Sequence, residues 1–208
     1  MRTVSSERRR LDPVGTRNAI VEAASELFSQ SGYDGTSMGD IAAKAGVTKS
    51  LLQYHFESKD NLWTHVIASK LTDFLSHVDE FLATDPTPER LCDLMVSRFE
   101  VFEENPEAIR MLTWTAMSGA PVPEVAIDRA AKLWVRVNEL ALNSNDAQKT
   151  LERLLVTLAA IDGWMLMRNA YSNIIRLNLK TPETNGMFLK ALMKMVWEVD
   201  LPQTGDSK

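Results

Sequence analysis

The sequence predicts an all-α fold of about nine helices. Apolar residues recur at helical spacing along most of the 208-residue chain, whereas strand-like alternation never extends beyond a few residues. Helix-capping residues, glycines and prolines separate the periodic segments. The composition, 45% hydrophobic and 25% charged, is that of a globular protein large enough to bury a core.

Four helices are predicted in the first part of the chain, after a flexible basic arm over residues 1–15. Hydroxyl side chains cap the free N–H groups of a first helical turn, and glycine adopts the left-handed conformation that ends many helices. The residues that delimit these four helices are, in chain order, Thr16 and Gly32, Thr36 or Ser37 and Gly46, Thr48, and Ser58.

The fourth helix is expected to end before Pro86 and Pro88, since proline is favoured at the first position of a new helix. Five further helices are then predicted. The last three are long, and they cover about residues 124–142, 146–171 and 182–199.

These helices are expected to form two domains. The first three are too short to bury much surface alone, so they must pack on one another. We expect the first domain over residues 16–62, a second over residues 63–200, and a tail over residues 201–208.

The sequence contains no pattern typical of catalysis, metal binding or membrane insertion. Nucleotide-binding loops, nucleophile elbows and paired-histidine zinc motifs are absent. Cys92 is the single cysteine, and the longest nearly unbroken apolar run, residues 154–161, is far shorter than the roughly 20 residues that cross a bilayer. We therefore expect a cytoplasmic protein that is not an enzyme and uses no cofactor or metal.

The net charge of −5 does not by itself favour a nucleic-acid partner. Residues 1–66, however, contain eight basic and eight acidic groups, so the rest of the chain, with 15 and 20, carries the whole deficit. Within the first segment, residues 41–56 contain Lys44 and Lys49 and no acidic residue. A local DNA-binding surface is therefore compatible with the charge pattern.

The second and third helices form a candidate helix-turn-helix around Gly46. The third helix is short, and its polar side chains can bind phosphates and base edges in a major groove. From polarity alone, a solvated helix in an ordinary bundle remains an open alternative. The polar candidates on and around this helix are Thr48, Lys49, Ser50, Gln53, Tyr54 and His55.

Several short motifs in this region closely resemble the TetR family of bacterial transcription regulators. The resemblance covers about the first third of the chain without gaps. The motifs are Gly32-Tyr33, Gly35-Thr36-Ser37, Ile41-Ala42, Ala45-Gly46-Val47-Thr48-Lys49 and Tyr54-His55-Phe56-Glu57-Ser58-Lys59-Asp60-Asn61-Leu62.

The resemblance implies a homodimer that binds double-stranded operator DNA and releases it when a small-molecule effector enters the C-terminal domain. By position, Thr36 and Lys59 are expected to contact phosphates. The groove residues are expected to be Thr48, Lys49, Ser50, Tyr54 and His55. Gln53 departs from the family pattern, which has an aromatic residue there in many members, and glutamine can pair with adenine. The basic Arg8, Arg9 and Arg10 are either a DNA-contacting arm or a solubilising tail.

The C-terminal domain is rich in tryptophan and methionine, most of which are expected in the core. Asp162 lies on an apolar helical stripe, where a carboxylate needs a partner. That partner is either a hydrogen bond within the bundle or across a dimer, or a cationic ligand. The last two helices are the expected dimer interface. The candidate ligand-binding residues are Phe99, Phe102, Met111, Trp114, Met117, Trp134, Asp162 and Met165.

Two other interpretations remain open at this point. One is an all-helical ligand-binding or interaction module without DNA binding, which direct DNA selection would distinguish. The other is that the protein activates transcription instead of repressing it. The sequence does not distinguish activation from repression.

Overall fold

The computed structural model describes residues 13–143, 147–199 and 201, and these residues form ten α-helices and no strand. The prediction of an all-α fold is confirmed. In chain order the helices are α1 (Pro13–Ser31), α2 (Met38–Ala45), α3 (Lys49–Phe56), α4 (Lys59–Lys70), α5 (Thr72–Leu82), α6 (Pro88–Glu104), α7 (Pro106–Ser118), α8 (Glu124–Asn143), α9 (Ala147–Ile175) and α10 (Pro182–Trp197). The arginines of the N-terminal arm lie outside the described residues.

The described chain has one helix more than the nine expected, because the fourth predicted helix divides at Leu71 into α4 and α5. Leu71 has a φ of −99° and a ψ of 1°. The Thr72 hydroxyl donates to the carbonyls of Ala68 and Ser69, at 3.2 and 3.1 Å. A hydroxyl bonded back to the preceding turn favours a bend, so these bonds are compatible with the break at this point.

The expectation that Thr16 caps α1 was wrong. Thr16 lies within the helix and is buried, and the described part of α1 begins at Pro13. Proline at a first helical position has no N–H that needs a partner, and it therefore serves as the start of a helix.

The described residues fall into two compact units. The first contains the chain up to Val66 together with Trp114–Pro121, and the second contains Ile67–Thr113 and the chain from Val122 onward. Both α4 and α7 therefore contribute residues to both units.

The first unit has a core drawn from all of its N-terminal helices. Ile20, Phe28, Ile41, Leu52 and Trp63 are all fully buried. The rings of Phe28 and Trp63 meet edge to face, with centroids 4.8 Å apart. Short helices thus become stable by sharing one core, as their lengths predict.

The second unit combines an apolar core with a buried polar cluster. Leu91, Met95, Phe102, Met111 and Ile161 are among its fully buried side chains. The cluster joins three helices: the buried Arg168 of α9 donates to Glu103 of α6 and, at 3.0 Å, to Asn185 of α10. A buried charge of this kind requires such partners.

The last two helices expose an apolar face. The stripe on α9 includes the large side chains Leu155, Met167 and Ile174, and α10 adds Met187 and Met195. Their exposed fractions reach 74% on α9 and 82% on α10. Several large apolar side chains exposed on neighbouring helices are typical of an interaction site. None of the helices in the described ranges is long and apolar enough to cross a membrane.

Candidate functional site

The turn between α2 and α3 has the tight geometry of a helix-turn-helix. Gly46 adopts the left-handed conformation, with a φ of 69°. Its N–H donates to the Ala43 carbonyl at 3.2 Å, and the N–H of Val47 donates to the Ala42 carbonyl at 3.0 Å. These bonds satisfy the last carbonyls of α2, and the left-handed residue redirects the chain toward α3.

Ser37, not Thr36, caps α2. The Ser37 hydroxyl accepts from the N–H of Asp40 at 3.1 Å, and the Asp40 carboxylate accepts from the N–H of Ser37 at 3.2 Å. This reciprocal capping box fixes where α2 begins. The Ser37 hydroxyl also donates to the Asp40 carboxylate, at 2.6 Å, and this bond, followed by the one from the Ser37 N–H, lowers the pKa of the Asp40 carboxyl.

The phosphate contact expected from the Thr36 side chain does not fit the structure. Thr36 is only 3% exposed, and its hydroxyl donates to the carbonyls of Gly32 and Leu27, at 2.9 and 3.2 Å. A phosphate oxygen needs a donor, and this hydroxyl hydrogen already has acceptors. Thr36 therefore holds the turn between α1 and α2.

Helix α3 has one buried and one exposed face. Leu52 and Phe56 are buried in the first unit. The opposite face exposes two pairs spaced by four residues, Lys49 with Gln53 and Ser50 with Tyr54. The Tyr54 side chain is 81% exposed, although tyrosine usually buries its ring in a folded protein.

Thr48 and His55 lie at the two ends of this helix. The Thr48 hydroxyl accepts from the Leu51 N–H at 3.2 Å and lies 3.1 Å from the Ser50 hydroxyl. Thr48 is exposed, so it both caps α3 and remains accessible. The half-buried His55 ring meets the Tyr54 ring edge to face, with centroids 5.5 Å apart.

Lys59, at the start of α4, is partly engaged within the protein. Its ammonium donates to the carbonyls of Tyr33 and Thr36, at 2.9 and 3.2 Å, and lies 3.9 Å from the centre of the Tyr33 ring. An ammonium group has three donors, so one remains for an outside anion.

Tyr33 is held on its other side by Asp60. Its hydroxyl donates to the Asp60 carboxylate. Burial, followed by this hydrogen bond, raises the pKa of the Tyr33 hydroxyl to about 12. Tyr33 therefore remains a neutral donor at physiological pH and fixes the loop after α1 against α4.

A cluster of Arg17, Phe56 and His65 joins α1, α3 and α4, and the sequence pattern did not indicate it. The Arg17 guanidinium lies 3.0 Å from Nε2 of His65 and 4.8 Å from the centre of the Phe56 ring. Burial and the nearby Arg17 charge lower the pKa of His65. These three residues are 39 and 9 positions apart along the chain, too far for any local pattern to relate them.

The structure disperses the eight candidate ligand residues. Four are buried in the core: Phe99, Phe102, Met111 and Met165. Met117 is 74% exposed. Trp114 packs in the first unit against Gly32, so closely that a Cβ at Gly32 would lie 2.6 Å from the indole ring.

Asp162 has an internal partner. Nη2 of Arg98 donates to both of its carboxylate oxygens, at 2.8 and 3.1 Å. The Asp162 side chain is 37% exposed, so the buried carboxylate expected from the stripe is in fact half-buried. Of the two alternatives for its partner, a hydrogen bond within the bundle is the one found in the structure.

The second unit contains a cavity of about 740 Å³, within the ~300–1,000 Å³ range of small-molecule sites. Trp134 is the one predicted ligand residue that lines it. The sequence pattern missed the other walls because their side chains occupy helical core positions. Representative lining residues are Phe74, Val78, Met95, Leu112 and Leu158.

Comparison with known proteins identifies the N-terminal region. Residues 20–66, which include α2, α3 and the turn between them, match the family model of bacterial regulatory proteins, tetR family. This region of the chain is a TetR-family N-terminal domain. The matched residues contain the Gly46 turn and the exposed face of α3, and the TetR family is one of transcription regulators, not of enzymes.

Among curated TetR-like relatives, the transcriptional regulator RutR of Escherichia coli K12 is 30% identical over 136 residues, which cover 60% of this chain and 64% of RutR. The transcriptional activator FasR of Mycolicibacterium smegmatis is 32% identical over 97 residues, covering 46% of this chain and 44% of FasR. The chain thus spans less than two thirds of the length of these relatives.

The fold of the chain also matches solved structures over most of its length. A TetR-like regulator from Rhodococcus sp. RHA1 superposes with a TM-score of 0.65, covering 91% of this chain and 97% of that one. The sequence identity is 20%, so the likeness establishes the fold.

Proposed function

We propose that this chain is a homodimeric, sequence-specific DNA-binding transcription regulator that represses its target and leaves the operator when a small molecule binds the second unit. The observation that carries the proposal is α3: a short helix, anchored by Leu52 and Phe56, that exposes a polar face after a left-handed turn at Gly46. That is the geometry of a recognition helix.

The exposed α3 side chains have the chemistry that operator recognition needs. Lys49 can neutralise a phosphate, whereas Gln53 can pair with the N6 and N7 atoms of adenine in the major groove. Ser50, Tyr54 and Thr48 add hydroxyl groups for bases or backbone. Together with His55 and the remaining donor of Lys59, they form the proposed DNA contact surface. The proposed DNA-binding domain is residues 16–62.

The exposed face of α9 and α10 supports a two-fold dimer. Leu155, Met167 and Met195 project apolar groups that one chain leaves uncovered. A Cβ added to Gly163, on the same helix, would meet no atom within 4 Å, so another helix can approach closely there. Two copies of this helix pair would form a four-helix interface.

The cavity in the second unit is the proposed effector site. Its walls include Leu112 of α7, and Trp114, two residues further along the same helix, packs on Gly32 in the first unit. A ligand that displaces α7 would therefore disturb the turn after α1. The proposed ligand-binding and dimerisation domain is residues 63–200, in a cytoplasmic protein.

Repression is the simpler mode, since an operator-bound dimer needs no further contact to block a promoter. The relative FasR is named an activator, so the direction of control requires a test. Selection of genomic fragments on the purified chain, followed by a reporter driven by the selected promoter, provides it. We expect enrichment of one site. Under repression, we also expect higher reporter output when the gene for this chain is deleted.

A Gln53→Ala chain is the matched control for the selection. It should fold normally, because Gln53 is exposed, and should enrich the site with altered base preference. If the folded parent chain enriches no site, the regulator proposal is wrong and the ligand-binding module without DNA binding takes its place. Lower reporter output on deletion would instead indicate activation.

A further inference from the structure

The walls of the cavity are almost entirely apolar, and its charged groups are arginines. Phe74, Met95 and Trp134 are typical of the lining. Among the described residues that line the cavity, Arg98 and Arg129 are the charged ones. An apolar cavity with a guanidinium in its wall has the composition of a site for an amphipathic ligand.

Arg98 has incomplete hydrogen bonding. Only its Nη2 donates, to Asp162. Its Nε is buried and has no partner, and within the described ranges no bond is formed by Nη1. The Phe74 and Phe102 rings lie over the guanidinium, with centroids 5.5 and 4.5 Å from Cζ. A planar cation in contact with two aromatic rings, with donors to spare, can take another acceptor.

Arg129, the other arginine of the lining, differs in this respect. Its Nε and Nη2 donate to the two oxygens of Asp79, at 2.8 and 2.7 Å. This is the paired, bidentate arrangement that arginine and carboxylate favour. The Nε of Arg129 is therefore paired within the protein, unlike that of Arg98, and Arg129 serves as a matched comparison for Arg98.

We infer that the effector is a mainly apolar molecule with one anionic group, such as a carboxylate, and that Arg98 binds that group. This inference rests on the proposed function in that the cavity is taken as the effector site. Asp162, being 37% exposed, can turn toward solvent when the anion of the ligand competes for Arg98.

A cationic ligand fits the site less well than an anionic one. A cationic ligand would have to take Asp162 from Arg98, whose side chain is only 14% exposed. That exchange leaves a largely buried guanidinium without its counter-charge, which is strongly unfavourable. A neutral hydroxyl or carbonyl could accept from the free donors of Arg98, but without the charge assistance that makes a bond to a carboxylate stronger.

Three probes with the same ten-carbon chain test the head group: decanoate, decanol and decylamine. Binding to the purified dimer is measured by titration calorimetry below micelle-forming concentrations, with Trp134 fluorescence as a second signal. We expect decanoate to bind about tenfold more tightly than decanol, the gain typical of a charge-assisted hydrogen bond. Tighter binding of decylamine, or equal binding of all three, would overturn the inference.

Substitutions at Arg98, Arg129 and Asp162 then test whether Arg98 binds the anionic group. Arg98→Met should lower decanoate affinity about tenfold and leave decanol affinity nearly unchanged. Arg129→Met should leave decanoate affinity nearly unchanged. If Arg98→Met does not fold, Asp162→Asn replaces it and should bind decanoate more tightly, because the competing carboxylate is gone. Unchanged decanoate affinity in the folded Arg98→Met or Asp162→Asn chain would contradict the role of Arg98.

Operator binding by the same chains separates a failure of this inference from a failure of the proposed function. Without ligand, Arg98→Met should bind the selected operator as the parent chain does. If decanoate binds with the expected dependence on Arg98 but does not release DNA, the ligand class stands and effector-driven release is wrong. If decanoate fails to bind while the chain still binds its operator, the ligand class is wrong and the regulator proposal stands.

Discussion

Two features of the structure require glycine at position 32: the backbone there is left-handed, and there is no room for a side chain. Its φ is 72°, and the Trp114 ring occupies the space that a Cβ would need. Gly32→Ala should therefore destabilise the first unit by about 1–2 kcal/mol for the backbone and by about 1–3 kcal/mol more for the overlap. Urea unfolding followed by circular dichroism measures the change.

Gly46 is the matched control for this prediction. Its φ is 69°, almost the same, yet a Cβ there would meet nothing within 4 Å. Gly46→Ala should cost only the backbone part, about 1–2 kcal/mol. Equal losses of stability in the two variants would show that the contact with Trp114 does not constrain Gly32.

His65 should make the stability of the chain depend on pH. Burial and Arg17 lower the pKa of His65 in the folded protein from its ordinary value of 6.5. Below that value the unfolded chain binds a proton that the folded chain does not, so the free energy of unfolding falls as the pH drops from 6.5 toward the folded pKa.

Thermal unfolding of His65→Gln between pH 7 and pH 5 tests this dependence. The parent chain should lose more in Tm over that range than the variant does. His77→Gln, the same substitution at an exposed histidine, is the control and should keep the behaviour of the parent. A parent and a His65→Gln chain with parallel pH profiles would contradict the assignment.

Single residues also show where sequence reasoning stops. The turn at Gly46 was predictable, and the cap of α2 was narrowed to Thr36 or Ser37, because each depends on neighbours a few positions away. The buried hydroxyl of Thr36 and the pairing of Asp162 with Arg98 depend on residues 9 and 64 positions away. Only the folded chain brings such groups together.

At the scale of elements, α3 was predictable in both position and exposed face, since its periodicity and caps agree. Lys49 lies on that face, is exposed, and contributes to the proposed DNA surface. Lys49→Ala should weaken operator binding and reduce the slope of log affinity against log salt concentration by about one, if Lys49 neutralises one phosphate. Fluorescence anisotropy over a salt series measures both quantities.

Lys132→Ala provides the control for charge alone. Lys132 is exposed on α8, in the second unit, and pairs with Asp128 at 2.7 Å. The Lys132→Ala substitution removes the same charge as Lys49→Ala and should leave the salt slope unchanged. A slope that falls equally in both variants would mean that net charge, and not the position of Lys49, determines the effect.

The cavity between α5, α6, α8 and α9 was not predictable from the same periodicity. Phe74, Met95 and Leu158 have the helical spacing of ordinary core residues. Whether such a side chain meets another or lines a void depends on how the helices pack in the second unit, and a one-dimensional pattern does not contain that information.

At the scale of the whole molecule, the proposed dimer depends on the apolar face of α9 and α10. Leu155 is 57% exposed and Met195 is 82% exposed. A Leu155→Glu, Met195→Glu double variant should remain folded but sediment as a monomer, because charge would be buried at the interface without a partner. Val135→Glu, which alters an exposed apolar residue of α8, should remain dimeric. A dimeric double variant would place the interface elsewhere.

Loss of the dimer should also weaken DNA binding, since two recognition helices on one two-fold axis read two half-sites. The double variant should bind the selected operator much more weakly than Val135→Glu does. Equal operator affinity would mean that one chain suffices for recognition.

Sequence reading by α3 is tested by comparing the affinity of the chain for its selected site and for a shuffled duplex of equal length at physiological salt. We expect a preference of roughly a thousandfold or more for the selected site. We also expect two protected half-sites about one helical turn, or a multiple of it, apart. Equal affinity for the two duplexes, with the dimer intact, would contradict sequence reading by α3.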